Sequence, residues 1–263
     1  MDTTLTPAAA ATDHYEHLLA EHYTWMLGGS IRSLARKQAG LLWELGVQPR
    51  TEDDAALDLG SGPGPQSLTL AWLGFASVTA VDTSSRLLDE LREYAAEAPA
   101  IRPVHADLRT AVPQAAAPAT AAAIVCMGDT LTHLPDRRDV PALLADCARA
   151  LRPGGHLVLS YRDLTAAPSG TDRFIPVRST DDRVLTCFLE EYDADRIMVH
   201  DLVHTWSPDG WELHVGSYPK LRLAPAWLAG QCRAAGLRVR HAGAGPRGLQ
   251  ILQAVKPYGR DAV

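Results

Sequence analysis

Short apolar runs alternate with helical stretches through the middle of the chain, and this alternation restricts its fold more than any other feature. The apolar runs cover residues 55–59, 77–81, 101–105, 121–127 and 156–161, and residues 65–73, 84–97 and 140–151 have helical spacing. Strands that alternate with helices form βαβ units around a parallel sheet. The Ala- and Pro-rich residues 110–119 are predicted to form a loop. The sequence therefore predicts a doubly wound α/β fold.

The segments on either side of this core have different patterns. Residues 1–12 are rich in Ala and Thr and are predicted to be a disordered tail, whereas residues 13–48 are predicted to be helical. Residues 165–222 contain four β-type runs, which predict an antiparallel insert that covers the site as a lid. Its hairpin turns between Trp206 and Trp211, and two further strands are expected at 237–241 and 249–256. Residues 13–263 are assigned to one domain.

Composition restricts the partners of the protein. The chain of 263 residues has a formal net charge of −6, which argues against binding of nucleic acid. It has no signal-peptide pattern and no run of about 18 apolar residues, and its four cysteines lack the C-x-x-C spacing of many metal and redox sites. We expect a cytoplasmic protein with a small-molecule partner, no membrane association and no metal. Homo-oligomerisation is left open.

A glycine-rich loop follows the first predicted strand and leads into a helix. It contains Asp58, Gly60, Ser61 and Gly62, and Pro65 stands where a dinucleotide-binding fingerprint has its third glycine. A carboxylate at Asp58 would repel a pyrophosphate but would accept hydrogen bonds, directly or through water, from the ammonium group of a methionine moiety. The loop therefore favours a cationic ligand, and a tight turn without any ligand is the alternative.

Two more acidic residues follow the next strands. Asp82 comes ~20 residues after the glycines, where an acidic side chain binds the hydroxyls of a ribose, and Thr83 or Ser84 is available to cap the next helix. Asp107 ends the third strand and suits an adenine amino group, although a surface turn is the alternative. The predicted cofactor-binding residues are Asp58, Gly60, Ser61, Gly62, Asp82, Thr83, Asp107, Leu108, Met127 and Gly128.

The order of these motifs resembles the class I S-adenosylmethionine-dependent methyltransferase superfamily. The resemblance rests on the glycine loop, on Val81-Asp82, on Ala106-Asp107-Leu108 and on the Leu-Arg-Pro-Gly-Gly-His-Leu-Val-Leu segment at 151–159. It implies S-adenosylmethionine as the cofactor and a seven-stranded, mostly parallel sheet whose last two strands form an antiparallel hairpin.

A second resemblance, to the glycine/sarcosine N-methyltransferase group, covers mainly the second half of the chain. It rests on Gly-Asp-Thr-Leu-Thr-His-Leu at 128–134, on the insert and on Tyr-Pro-Lys-Leu at 218–221. The group has Arg-Asn-Tyr after the fifth strand, where this chain has Tyr161-Arg162-Asp163.

Methyl transfer from a sulfonium needs alignment and a dry site rather than a covalent nucleophile. We identify His133, after the fourth strand, as a candidate general base and Tyr23 as a second catalytic candidate. A solvated loop histidine and a packed helical aromatic are the respective alternatives.

Substrate contacts are predicted from the insert and the fifth strand. Arg162 is a candidate clamp for a carboxylate, or else the partner of a nearby acid, and Tyr161 and Trp25 are further candidates. The hairpin register places His200 and His204 on one face, which either lines the substrate pocket or packs in the core.

These observations favour a methyltransferase that acts on a small polar metabolite, with an amine as the first choice. O-methylation is the alternative, as is an S-adenosylmethionine-binding protein with another reaction or a regulatory role. An NAD oxidoreductase fits less well because the third glycine is absent.

Overall fold

A seven-stranded sheet lies at the centre of the computed structural model, which describes residues 7–166 and 168–259. Its strand order is β10-β11-β5-β4-β1-β2-β3, and β1 to β5 pair in parallel. β11 pairs antiparallel with both β5 and β10, as the sequence predicted for the last hairpin. The strands of this sheet are β1 (Ala55–Leu59), β2 (Ser77–Asp82), β3 (Ile101–His105), β4 (Ala121–Cys126), β5 (Leu151–Tyr161), β10 (Arg238–Ala244) and β11 (Gln250–Val255).

Helices cover both faces of this sheet. The inner strands β1 and β4 are almost fully buried, as is usual when a parallel sheet is covered on both sides. The helices are α1 (Pro7–His14), α2 (Ala20–Leu27), α3 (Ile31–Glu44), α4 (Pro65–Trp72), α5 (Ser85–Ala95), α6 (Leu108–Ala115), α7 (Asp139–Ala150) and α8 (Pro225–Ala234). Strand order reverses between β1 and β4, and ligands bind at such a reversal, beyond the carboxyl ends of the strands.

A separate sheet of four antiparallel strands forms the predicted insert. Its order is β6-β7-β8-β9, and Trp206 pairs with Trp211 as the predicted hairpin register requires. The last strand continues through the Tyr-Pro-Lys-Leu segment and ends at Leu221. The four strands are β6 (Phe174–Ser179), β7 (Arg183–Glu191), β8 (Arg196–Ser207) and β9 (Gly210–Leu221).

The N-terminal helices α1 and α2 are joined by one π-helical turn, Tyr15–Leu19. On one side the ring Nε2 of His14 donates to Asp201 of β8 at 2.8 Å, and both side chains are buried. On the other side Thr24 donates to Glu90 of α5 at 2.6 Å. The N-terminal helices therefore lie between the insert and α5. No helix in the described ranges is long and apolar enough to cross a membrane.

Two expectations from the sequence are wrong. Residues 7–12 belong to α1 and are not a disordered tail, because Pro7 suits a helix start and the alanines that follow favour a helix. Residues 1–6 of the predicted tail lie outside the described residues. The predicted loop at 110–119 begins as α6 instead. Asp107 caps that helix and its Ala111 and Val112 are buried, which outweighs the helix-breaking Pro113.

Candidate functional site

The glycine loop between β1 and α4 makes a close approach to two other segments. Gly60 and Gly62 have φ angles of 73° and 51°, which only glycine adopts readily. A Cβ at Gly60 would lie 2.1 Å from Cγ2 of Thr130, and one at Gly62 would lie 3.5 Å from Cε1 of Tyr23. The loop is thus enclosed by the turn after β4 and by α2.

Asp82 at the end of β2 ties this loop to the next helix. Its carboxylate accepts hydrogen bonds from the backbone N–H groups of Gly62, at 2.7 Å, and Ser84, at 2.8 Å. Burial raises the pKa of Asp82, although these donors partly offset it. Ser84 caps α5 by accepting from the N–H of Leu87. The carboxylate therefore lies fixed at the wall of a cavity, as a ribose-binding group requires.

Asp58 is fully buried beside the same loop but is not on the wall of a cavity. Its Oδ2 accepts a hydrogen bond from Ser67 at 2.6 Å, while its Oδ1 has no partner among the described residues. Burial raises the pKa of this carboxyl to about 7. Because Asp58 does not reach a cavity wall, its unpartnered oxygen fits a ligand that brings positive charge or a hydrogen-bond donor only through a bridging water.

Two cavities adjoin at the carboxyl ends of β1, β2 and β4. The smaller cavity has a volume of about 110 Å³ and the larger cavity about 590 Å³. Tyr15, Tyr23, Gly60 and Gly128 lie on the walls of both, so these residues mark the junction between the cavities.

Most of the predicted cofactor residues surround the smaller cavity. Asp107 caps α6 and also pairs with Arg109, whose guanidinium lies 2.5 Å from the carboxylate. Burial alone would raise the pKa of Asp107, but the hydrogen bonds from Arg109 outweigh burial and lower it. Predicted residues on this wall are Tyr23, Gly60, Gly62, Asp82, Thr83, Asp107, Leu108, Gly128 and His133. Ser61, Met127 and Arg162 line the larger cavity.

Asp129 lies on the larger-cavity side of the junction in a strained backbone conformation, with φ of 82°. Its Oδ1 accepts from the N–H of Arg162 at 2.8 Å and from Thr132 at 3.0 Å, and its Oδ2 from Lys220 at 2.6 Å. Burial alone would raise the pKa of Asp129, but the charge of Lys220 and the hydrogen bonds from Lys220 and the N–H of Arg162 outweigh burial and lower it. The insert is thereby tied to the end of β4.

His133 lies on the smaller-cavity side of the junction. Its ring stacks on Tyr218 with 5.3 Å between centroids and meets the edge of Tyr15 at 5.4 Å. Burial, and then the charge of Lys220, lower the pKa of His133 to about 3. The ring is therefore neutral at pH 7 and is able to accept a hydrogen bond.

Four predicted substrate contacts lie away from both cavities. Tyr161 faces the opposite side of β5 and is buried in the core with α7 and α8. The ring of Trp25 instead contacts the guanidinium groups of Arg178 and Arg183, at 5.5 and 5.1 Å from its centroid.

His200 and His204, which were also predicted to contact the substrate, lie away from both cavities as well. Both lie on the outer face of the insert, whereas their neighbour Asp201 faces the larger cavity, because side chains alternate along β8. His200 instead contacts Glu190 and Ser217, at 3.0 and 2.7 Å. The predicted register of the β8–β9 hairpin is correct. The prediction that His200 and His204 lie on the inward face of the insert is wrong.

Several residues on the walls of the two cavities were missed by the sequence prediction, namely Tyr15, Asp129, Asp201, Tyr218, Lys220 and Arg109. Asp129, Tyr218 and Lys220 belong to the segments 128–134 and 218–221, which carried the second resemblance. That resemblance was the signal available for them, whereas Tyr15 and Asp201 come together only in three dimensions.

Comparison with known proteins shows that this chain is similar to methyltransferases. Residues 56–155 match a family described as a methyltransferase domain. The ubiquinone biosynthesis O-methyltransferase of Xanthomonas oryzae pv. oryzae is 39% identical over 114 residues, which are 42% of this chain and 44% of that protein. The chain thus spans less than half the length of the curated relatives it matches.

Solved structures resemble the whole fold. The CcbJ methyltransferase from Streptomyces caelestis superposes with a TM-score of 0.74, 21% identity and coverage of 93% of this chain and 98% of that one. An S-adenosylmethionine-bound amino pentose methyltransferase from Micromonospora echinaspora gives a TM-score of 0.67, 18% identity and coverage of 90% and 96%.

Residues 56–155 thus match a methyltransferase domain, and the chain as a whole has the class I methyltransferase fold. The first resemblance seen in the sequence is confirmed. The predicted fold of this chain, with a mostly parallel sheet and an antiparallel insert, is confirmed as well. The closer likeness to the glycine/sarcosine N-methyltransferase group stays a prediction.

Proposed function

We propose that this chain transfers the methyl group of S-adenosylmethionine to a nitrogen of a small-molecule acceptor. The observation that carries the proposal is the junction of the two cavities, where a glycine loop and Asp82 border one side and a deep pocket opens on the other. The smaller cavity and the glycine loop would hold the cofactor, with Asp82 available to its ribose hydroxyls, Asp107 to its adenine amino group and Asp58, through water, to its ammonium group. Its role when bound is to supply an activated methyl group.

The residues at the junction position the acceptor. His133 is neutral at pH 7 and accepts a hydrogen bond from the N–H of the attacking nitrogen, which turns its lone pair toward the methyl group. Tyr23 packs over Gly62 and excludes water from the same place. Arg162 binds an anionic group of the acceptor on the larger-cavity side.

O-methylation is a second candidate, because the 39% identical relative is an O-methyltransferase. The same neutral His133 would accept a hydrogen bond from a hydroxyl group. Small molecules rather than nucleic acids remain the proposed acceptors for either reaction, given the net charge of −6. A cytoplasmic location and homo-oligomerisation stay predictions.

A transfer assay with radiolabelled S-adenosylmethionine tests the proposal on panels of amines and alcohols. We expect labelled product and S-adenosylhomocysteine in equal amounts, and a His133→Ala variant that retains S-adenosylhomocysteine affinity but loses about 100-fold in rate. Cofactor binding without stoichiometric transfer to either panel would support a regulatory protein instead. A product found only with alcohols would select O-methylation.

A further inference from the structure

The wall of the larger cavity is mainly apolar. Leu19 of the N-terminal segment and Leu189 and Val199 of the insert lie on it, and Leu164, Ile175 and Val177 extend the same lining. The volume of about 590 Å³ lies within the range of sites for drug-sized ligands. This wall suits a molecule with a large apolar body, and it revises the expectation of a small polar metabolite.

The acidic and the basic side chains on this wall differ in how completely they are paired. The two carboxylates are both occupied, since Asp129 pairs with Lys220 and Asp201 accepts hydrogen bonds from His14 and Cys187, at 2.8 and 2.7 Å. Over residues 7–166 and 168–259, by contrast, the wall residues Arg162, Arg247 and Lys37 form no ion pair. The cavity therefore carries excess positive charge in a chain whose net charge is −6.

Two of these cations lie at one place. A guanidinium nitrogen of Arg162 is 3.6 Å from the position that a Cβ at Gly248 would occupy, so it lies against the turn that carries Arg247. Arg247 has a left-handed backbone, with φ of 62°, which costs free energy in a residue other than glycine. Its side chain is exposed at the rim of the cavity, whereas Arg162 is partly buried.

We infer that the acceptor is a largely apolar molecule with an anionic group, which binds between Arg162 at the end of β5 and Arg247 in the β10–β11 turn. Two planar guanidinium groups from different segments bind the oxygens of a single anion with more than one charge-assisted hydrogen bond. The apolar body then extends between the N-terminal segment and the insert. The inference rests on the proposed function and names the chemical class of its acceptor.

A matched pair of fluorescent probes tests the inference without knowledge of the acceptor. 1-Anilinonaphthalene-8-sulfonate and N-phenyl-1-naphthylamine share the same apolar body, and only the first carries an anion. Both are titrated into the full chain saturated with S-adenosylhomocysteine. We expect the sulfonate to bind about tenfold more tightly, and Arg162→Ala and Arg247→Ala each to remove most of this preference while the affinity for the neutral probe stays unchanged.

Three control variants establish whether the probes bind inside the larger cavity. Arg36→Ala removes an exposed charge of α3 that is outside the cavity and should change neither affinity. Val177→Trp should fill the cavity and weaken both probes. Trp206→Ser with Trp211→Ser removes exposed aromatic surface on the outer face of the insert and should leave both affinities unchanged. Circular dichroism verifies that each variant is folded.

Equal affinity for the two probes would overturn the inference, and so would arginine variants that bind both probes as the wild type does. If Arg162→Ala or Arg247→Ala weakens S-adenosylhomocysteine itself about tenfold, the arginines bind the cofactor carboxylate and the inference is also wrong. Failure of the wild type to bind S-adenosylhomocysteine would instead refute the proposed function, whereas the probe comparison in the free chain would still measure the anion preference.

Discussion

Lys220 of the insert donates to the carboxylate of Asp129 at 2.6 Å, across the interval between β9 and the end of β4. The two side chains are only 12% and 10% exposed, so water contributes little to their solvation. The same carboxylate accepts the N–H of Arg162. One buried ion pair thus joins the insert, the parallel sheet and the backbone of a proposed acceptor-binding residue.

Removal of one partner of this pair should be costly. We expect Lys220→Met to lower the free energy of unfolding by about 3 kcal/mol, because Asp129 is left charged and nearly buried. Lys220→Met with Asp129→Asn should recover part of the loss. Urea denaturation of the wild type and the variants measures both effects, and a double variant less stable than the single one would argue against this role of the pair.

The fold and most of the wall of the smaller cavity were predictable, because each depends on the order of strands and of the loops that follow them along the chain. The glycine loop, Asp82 and Asp107 follow successive strands of a parallel sheet, and such strands end at one edge. The helix α6 was missed because its Pro113 argues for a loop, whereas the burial of Val112 that stabilises it is a tertiary effect.

The wall of the larger cavity was less predictable, since it depends on packing between distant segments. The register of β8 and β9 was predicted correctly from the hairpin turn, yet register alone does not decide which face of an antiparallel sheet is covered. The N-terminal helices cover the face of Asp201, so His200 and His204 lie on the other. The contact of His14 with Asp201 joins residues 187 positions apart and has no local signal.

Gly216 should be essential for seating the N-terminal helices. A Cβ there would lie 2.3 Å from Nδ1 of His14, so we expect Gly216→Ala to destabilise the protein by about 1–3 kcal/mol and to speed hydrogen exchange in residues 7–27. Gly40→Ala is the matched control, because nothing lies within 4 Å of its Cβ position in α3. It should be neutral or slightly stabilising. Equal exchange in the two variants would argue against the contact.

Cofactor binding should release a proton near neutral pH. Burial raises the pKa of Asp58 to about 7, so the folded carboxyl is mostly protonated at pH 6, although an unfolded Asp is ionised there. The ammonium group of S-adenosylhomocysteine favours the ionised form, so the proton leaves on binding. Titration in buffers of different ionisation enthalpy should detect this release at pH 6, little of it at pH 8.5, and none in Asp58→Asn. Identical release by that variant would remove Asp58 from the site.

Calorimetric titration of the full chain with S-adenosylhomocysteine and, separately, with NAD tests the cofactor assignment on which the proposed function depends. The assignment predicts a dissociation constant in the micromolar range for S-adenosylhomocysteine, of the order common for metabolic ligands, and no heat with NAD. Asp82→Ala should raise that constant roughly 10- to 100-fold, since charge-assisted hydrogen bonds to the ribose are lost. Binding of NAD without binding of S-adenosylhomocysteine, or an Asp82→Ala variant with wild-type affinity, would contradict the assignment.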